Sequence, residues 1–186
     1  MKLNKHLLFL FFCFFVIKLL TTQNYLWNAD EGTHVLIGAF LRDLSKNIIN
    51  FRSLDEILNF ATNFVVKYPK LAPYYPPLYH LILAGILFLG NYVIILRIYG
   101  VIISLLTAFI IYKILLKLKY KEKTALLCSL IFLSFSSMFY YSDKVTMDVF
   151  QILTFTFGLL IYLDIKTKKN DIFIRLFSIP IEHTCI

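Results

Sequence analysis

The sequence predicts an all-α integral membrane protein, and three observations support this fold class. Hydrophobic residues make up 59% of the 186 positions, whereas charged residues make up only 16%. A soluble domain keeps roughly a quarter of its residues charged, so this chain has too little polar surface for water and suits a bilayer as its solvent. The 19 phenylalanines and 12 tyrosines suit lipid contact and interfacial aromatic belts. We expect a single membrane domain, 1–186.

The net charge of +8 does not indicate nucleic-acid binding, because the basic residues do not gather on a polar domain. They form short runs between apolar segments, at 117–121 and 166–169. Such runs are typical of cytoplasmic loops held near anionic lipid headgroups. Membrane lipids are therefore the expected partners of these charges.

The first span is predicted at about 7–24, where the sequence is apolar up to Leu20 except for Lys18. A cleaved signal peptide is the alternative, but no small-residue cleavage site follows. An uncleaved span with a cytoplasmic amino terminus is therefore favoured. Lys18 is predicted either to snorkel to an interface or to face neighbouring helices.

Residues 25–95 form the predicted outer loop. Within it, Gly32–Leu44 and Leu54–Val66 carry apolar residues at helical spacing, which predicts two short helices on or near the membrane surface. The apolar run Leu78–Leu89 is shorter than the roughly 20 residues that a spanning helix needs. We therefore expect a juxtamembrane or re-entrant helix there.

Three further spans are predicted at about 97–116, 124–141 and 149–164, giving about four in a multi-pass protein. With the amino terminus and both basic runs on the cytoplasmic side, these spans alternate in direction and leave no crossing for the Leu78–Leu89 run. The tail 170–186 stops an apolar run abruptly, as in a truncated or frameshifted product or in a short native tail.

Asp30 and Glu31 open the segment just outside the first predicted span, and His34 lies one helical turn after Asp30. A partly desolvated carboxylate at a water–lipid boundary can act as a general base. The alternative is a helix start, where acids in the first turn stabilise the dipole and cap free N–H groups. Spacing alone favours the helix start.

The predicted topology places Asp148 on the same, non-cytoplasmic side as Asp30, so that the two acids can line one site. Such a pair could hold a divalent cation, but no DxD spacing indicates one. The cysteines Cys13, Cys128 and Cys185 show no ligand spacing, so neither a zinc site nor a disulfide framework is predicted. Arg97 is predicted to bind a lipid phosphate or to snorkel to headgroups.

The order of these features resembles the polyprenyl-phosphate-sugar glycosyltransferases of the GT-C fold. This family includes dolichyl-phosphate-mannose protein mannosyltransferases and bacterial aminoarabinose transferases. The resemblance runs from about Asn24 to Asp164, and the matching stretches are Asp30–His34, Tyr75–Tyr79, Leu96–Ile98 and Asp148 with the apolar run after it. Such enzymes usually carry more spans, which makes an inactive amino-terminal fragment one of the expectations.

The resemblance implies a membrane glycosyltransferase that uses a polyprenyl- or dolichyl-phosphate sugar as donor. Asp30 would then be the general base that deprotonates an acceptor hydroxyl, with inversion at the sugar, and Glu31 would support it. His34, Arg97, Asp148 and Tyr75 become the substrate-binding candidates. The resemblance implies no certain cofactor.

A non-catalytic membrane subunit or a transporter fragment is the alternative function. A transporter is expected to show polar residues or broken helices at mid-membrane in paired halves. The predicted spans are almost wholly apolar inside, which argues against transport but not against a scaffold. Wide separation of Asp30 and Asp148 in the structure would favour the scaffold.

Overall fold

The computed structural model describes residues 5–22, 29–68, 77–90 and 93–177, with side chains up to 166. These residues form helices and the connections between them and include no strand, so the described part of the chain is all-α as predicted. The helices are α1 Lys5–Thr21, α2 Ala29–Asn47, α3 Leu54–Lys67, α4 Pro77–Leu87, α5 Val93–Lys117, α6 Glu122–Ser134, α7 Ser136–Tyr141 and α8 Met147–Phe177, and a 3₁₀ turn at Ile48–Asn50 follows α2.

Two helical segments are long and apolar enough to cross a membrane: α5, and Met147–Lys166 within α8. Both match spans expected from the sequence, and they support a membrane protein. The helix α1 has 17 residues and α6 has 13, so these two do not by themselves show the predicted total of about four spans.

The predicted continuous helix over 124–141 is wrong, because α6 and α7 are separated at Phe135. The backbone of Phe135 is extended, with φ −60° and ψ 130°. Serines flank this point, and the Ser134 hydroxyl donates to the carbonyl of Leu130 at 2.7 Å. Serine hydroxyls that bond to the backbone weaken a helix locally, which is consistent with the break.

The predicted loop at 166–169 is also wrong, since the α8 backbone stays helical through this basic run to Phe177. Lysine is a good helix former, so a cluster of lysines marks a change of environment without ending the helix. The basic run at 166–169 therefore indicates a polar environment and does not indicate a turn.

Both helices predicted in the first loop are present, as α2 and α3, and α2 packs closely against α4. A Cβ atom at Gly38 would lie 3.0 Å from Leu83 Cβ and 3.3 Å from Leu87 Cδ1, so a larger residue would require α4 to shift by a few tenths of an ångström. Leu83 and Leu87 belong to a buried cluster with Tyr79, Leu96 and Val145. This core fixes α2 and α4 beside α5 and the segment before α8.

The segment 142–146, here called the α7–α8 loop, lies directly on α5 at Gly100. A Cβ atom there would lie 2.7 Å from the Ser142 carbonyl oxygen and 3.2 Å from that of Lys144. All five residues of this loop are buried. The contact holds loop backbone against α5, where the polar residues described below converge.

Replacing Gly100 with alanine is expected to destabilise the fold by about 1–3 kcal/mol, since loop backbone must move to admit the methyl group. The control is Gly158→Ala in α8, where a Cβ would meet nothing within 4 Å. That variant should be neutral or up to about 1 kcal/mol more stable, because alanine is the better helix former. Unfolding in detergent, followed by circular dichroism, measures both; equal effects would contradict the close contact.

Candidate functional site

Glu31 and Arg97 form a buried ion pair between α2 and α5. Arg97 Nη1 donates to Glu31 Oε1 at 3.2 Å, and both side chains are 0% exposed. The pair also holds the α7–α8 loop, because the backbone N–H of Val145 donates to Glu31 Oε1 at 2.9 Å. Arg97 Nη1 donates in turn to the carbonyl of Asp143 at 2.7 Å. One carboxylate and one guanidinium therefore join three parts of the chain.

This burial changes the roles expected of both residues. The prediction that Arg97 snorkels to lipid headgroups is wrong, because its side chain is fully buried. The Arg97 guanidinium, which was expected to bind a lipid phosphate, instead donates to Glu31 and to the carbonyl of Asp143. Glu31 itself faces the protein interior, so it supports the position of its neighbour Asp30 through the fold.

Lys18 and Asp143 form a second buried ion pair, at 3.1 Å. The Lys18 ammonium also donates to the carbonyl of Phe139 at 2.8 Å and lies 4.4 Å from the centre of the Phe139 ring. Of the two expectations for Lys18, the structure supports the one in which it faces neighbouring helices. The pair ties α1 to the segment between α7 and α8.

Asp30 stands at the start of a chain of polar groups that enters the protein. Its side chain is 49% exposed, and Oδ2 lies 3.7 Å from Nε2 of His34. His34 Nδ1 lies 2.9 Å from Nε2 of His80, and both imidazoles are only 1% exposed. One N–H proton between these two ring nitrogens gives a hydrogen bond, so the tautomers of the two imidazoles depend on each other.

His80 was not among the residues predicted for the site, although its sequence neighbourhood was. It lies in the first turn of α4, one residue after Tyr79, whose ring packs edge-on against His34 at 5.4 Å between centroids. A single histidine in an apolar helix gives no indication of its partner. Only the close packing of α2 on α4 brings the two imidazoles together.

Asp148 lies in the first turn of α8 and is exposed, like Asp30. Burial lowers the pKa of His34 below its ordinary value, while the carboxylates of Asp30 and Asp148 each act in the opposite direction. Both acids are therefore close enough to His34 to influence it electrostatically. We call Asp30, His34, His80 and Asp148 the Asp30 cluster.

An apolar groove of about 580 Å³ extends from Asp148 between α6, α7 and α8. Besides Asp148 and the Ser137 and Tyr141 side chains, its lining is hydrophobic: Ile131, Phe132, Phe135, Met138, Val149 and Ile152. Phe135 is the extended residue between α6 and α7, and its side chain forms part of this lining. A carboxylate at the edge of an apolar groove suits an amphipathic ligand with a long hydrocarbon chain.

The Asp30 cluster contains the groups that proton transfer requires, since the exposed carboxylate of Asp30 lies 3.7 Å from the buried imidazole of His34. Within the ranges that the structure describes, no group of three or more histidine, cysteine or acidic side chains is placed to hold a metal ion. Tyr75, a predicted substrate-binding residue, and Cys185 lie outside the described residues. Cys13 and Cys128 are free thiols.

Replacing Glu31 with glutamine is expected to destabilise the protein by about 3–5 kcal/mol, because Arg97 then remains buried without a counter-charge. Glu56→Gln, in the exposed first turn of α3, is the matched control and should change stability by less than about 1 kcal/mol. The double variant Glu31→Gln with Arg97→Met should recover part of the loss. Urea unfolding in detergent measures all three, and a Glu31→Gln protein as stable as the control would contradict the pairing.

The lowered pKa of His34 predicts that stability falls on acidification. Below its ordinary pKa of 6.5 the unfolded chain binds a proton that folded His34 does not, so stability is lost as the pH falls through the lowered value. His34→Gln should therefore flatten the dependence of the thermal midpoint on pH below about 6.5. Gly158→Ala in α8, which changes no titratable group, is the control that keeps the wild-type slope; an unchanged slope in His34→Gln would count against the prediction.

Comparisons with known proteins add no information on the role of these residues. No protein-family model, no curated protein and no solved structure matches this chain. The function is therefore argued from the Asp30 cluster, the apolar groove and the buried ion pairs.

Proposed function

We propose that this chain is a membrane glycosyltransferase, or the amino-terminal part of one, that uses a polyprenyl-phosphate sugar as donor and an acceptor hydroxyl as nucleophile. The observation that supports it best is the exposed carboxylate of Asp30 beside buried His34, which lies 2.9 Å from His80, together with Asp148 on the lining of an apolar groove. These two exposed acids are far apart in the sequence. A purely structural subunit gives no reason for an exposed carboxylate backed by two buried imidazoles, or for an acid on the lining of an apolar groove.

Asp30 is the general base of the proposed reaction. Its exposed carboxylate takes the proton of the acceptor hydroxyl, and the acceptor oxygen then forms a bond to the anomeric carbon of the sugar. The bond from that carbon to the phosphate oxygen breaks, and its electron pair leaves with the polyprenyl phosphate. A single in-line displacement of this kind inverts the anomeric centre. His34 and His80 orient the base from the protein side.

The apolar groove gives the hydrocarbon chain of the donor a place to lie. It begins at Asp148, so the polar end of a bound lipid would lie near the Asp30 cluster. The proposal includes a multi-pass topology of the GT-C type with about four spans and a cytoplasmic amino terminus. Both acids then face the non-cytoplasmic side, where the first-loop helices α2 and α3 also lie.

Replacing Asp30 with asparagine is expected to lower sugar transfer by roughly 10²–10⁴-fold, the usual contribution of a general base. The assay uses membranes that contain the chain and a panel of radiolabelled polyprenyl-phosphate hexoses and pentoses. Asp43→Asn is the control, since Asp43 lies on the same helix but pairs with Arg42, away from the cluster. It should keep wild-type transfer.

Two results would contradict the proposal. Transfer that is equal in the wild type and in Asp30→Asn would exclude Asp30 as the base. Absence of transfer from every donor in the panel would favour a non-catalytic membrane subunit. The anomeric configuration of the product, read by nuclear magnetic resonance, adds a further check, because retention would exclude the single displacement.

A further inference from the structure

Helix α3 exposes a row of large apolar side chains along one side. Leu54, Leu58 and Val65 are 70%, 55% and 46% exposed. Successive residues of an α-helix turn by about 100°, so these three positions lie within about 40° of one another around the axis. A single exposed leucine is common on protein surfaces, whereas three residues in one row form a continuous apolar surface. We call these three residues the α3 strip.

The α3 strip adjoins the side of α3 that packs on α2. Phe60 and Phe64 are half-buried there, and their ring centres lie 6.0 Å and 5.0 Å from that of Phe40 in α2. These ring contacts use only part of the apolar side of α3. They also fix the rotation of α3 about its axis, so that the α3 strip is directed to the outside of the protein.

The polar side chains of α3 lie away from the strip, and cations flank its two ends. Glu56 and Asn63 lie about 180° and 160° around the axis from the middle of the strip, and Asp55 lies about 80° from it. Arg52 precedes the helix and Lys67 is in its last turn, and both are exposed. An apolar strip with a cation at each end complements a lipid surface, which is apolar inside and carries anionic headgroups outside.

We infer that α3 lies in the headgroup region of a phospholipid bilayer, with the α3 strip inserted among the lipid chains. The apolar segments of α5 and α8 are long enough to cross such a bilayer, so a lipid surface is available to the same chain. Helix α3 has 14 residues and a polar opposite side, and a helix of this kind lies along the membrane surface. The flanking cations favour lipid headgroups over a second copy of this chain, whose own Arg52 and Lys67 would be repelled.

This lipid contact goes beyond the proposed transfer reaction, and it does not require that the chain is an enzyme. The sequence predicted both helices of the first loop on or near the membrane surface, and the structure assigns the contact to one side of α3. Its test measures the depth of side chains in a bilayer and does not depend on turnover. Asp30→Asn should leave that depth unchanged, so that failure of the transfer assay and failure of this inference can be distinguished.

The test attaches a small environment-sensitive fluorophore to single cysteines of the full chain, after the native cysteines have been replaced by alanine. Leu58→Cys and Val65→Cys place the fluorophore on the strip, and Asn63→Cys, exposed on the opposite side of α3, is the matched control. The labelled chain is reconstituted as a single copy in nanodiscs of phosphatidylcholine and phosphatidylserine. At the two strip positions we expect blue-shifted emission, quenching by lipids that carry a nitroxide, and several-fold weaker quenching by acrylamide in the water than at the control position.

All three labelled positions are exposed, so their replacement removes no buried contact, and circular dichroism should show the wild-type helical content in each variant. Equal quenching by acrylamide at Leu58→Cys and Asn63→Cys, or no quenching of either strip position by the nitroxide lipids, overturns the inference. Disulfide cross-linking between unlabelled Leu58→Cys chains in liposomes, together with no quenching by the nitroxide lipids, would place a second copy on the strip and would overturn it as well.

Discussion

The buried ion pair between Glu31 and Arg97 fixes the relative position of α2, α5 and the α7–α8 loop. Moving two charges out of water is unfavourable, and the pair persists because a backbone N–H and a backbone carbonyl supply further hydrogen bonds. The Asp30 cluster and the Lys18–Asp143 pair both depend on the positions that this ion pair fixes. Asp30 precedes Glu31 on α2, and Asp143 lies in the loop that Glu31 and Arg97 hold. The pair thus sets the place of the Asp30 cluster and of Asp143, the partner of Lys18.

Local sequence predicted most of the helices but not their interruptions. Apolar runs and helical spacing identified α2, α3, α4 and α5, since burial of an apolar face is a property of neighbouring residues. The break at Phe135 and the helical course of α8 beyond Lys166 were missed. Both features depend on backbone hydrogen bonding, which hydropathy does not measure. A basic run indicates a polar environment, and it does not distinguish a helix from a loop.

The members of the site were predictable as residue types, whereas their partners were not. Asp30 and Asp148 stood out as acids beside apolar runs, and topology placed them on one side. The partner of Glu31 is 66 residues away and that of His34 is 46 residues away. One sequence contains no information on such long-range pairs, so His80 was not predicted as a member of the site and Arg97 was expected to contact lipid.

Asp30 and Glu31 show how adjacent carboxylates take opposite roles on one helix. Successive residues of an α-helix point about 100° apart, so they cannot face the same surroundings. Glu31 turns towards α5 and is held by a guanidinium, while Asp30 stays half-exposed with an imidazole one turn further along. Because Glu31 anchors this helix, it also helps to fix the position of Asp30. The Asp30 carboxylate therefore stays accessible to solvent, since the ion pair that holds the helix lies on a different face.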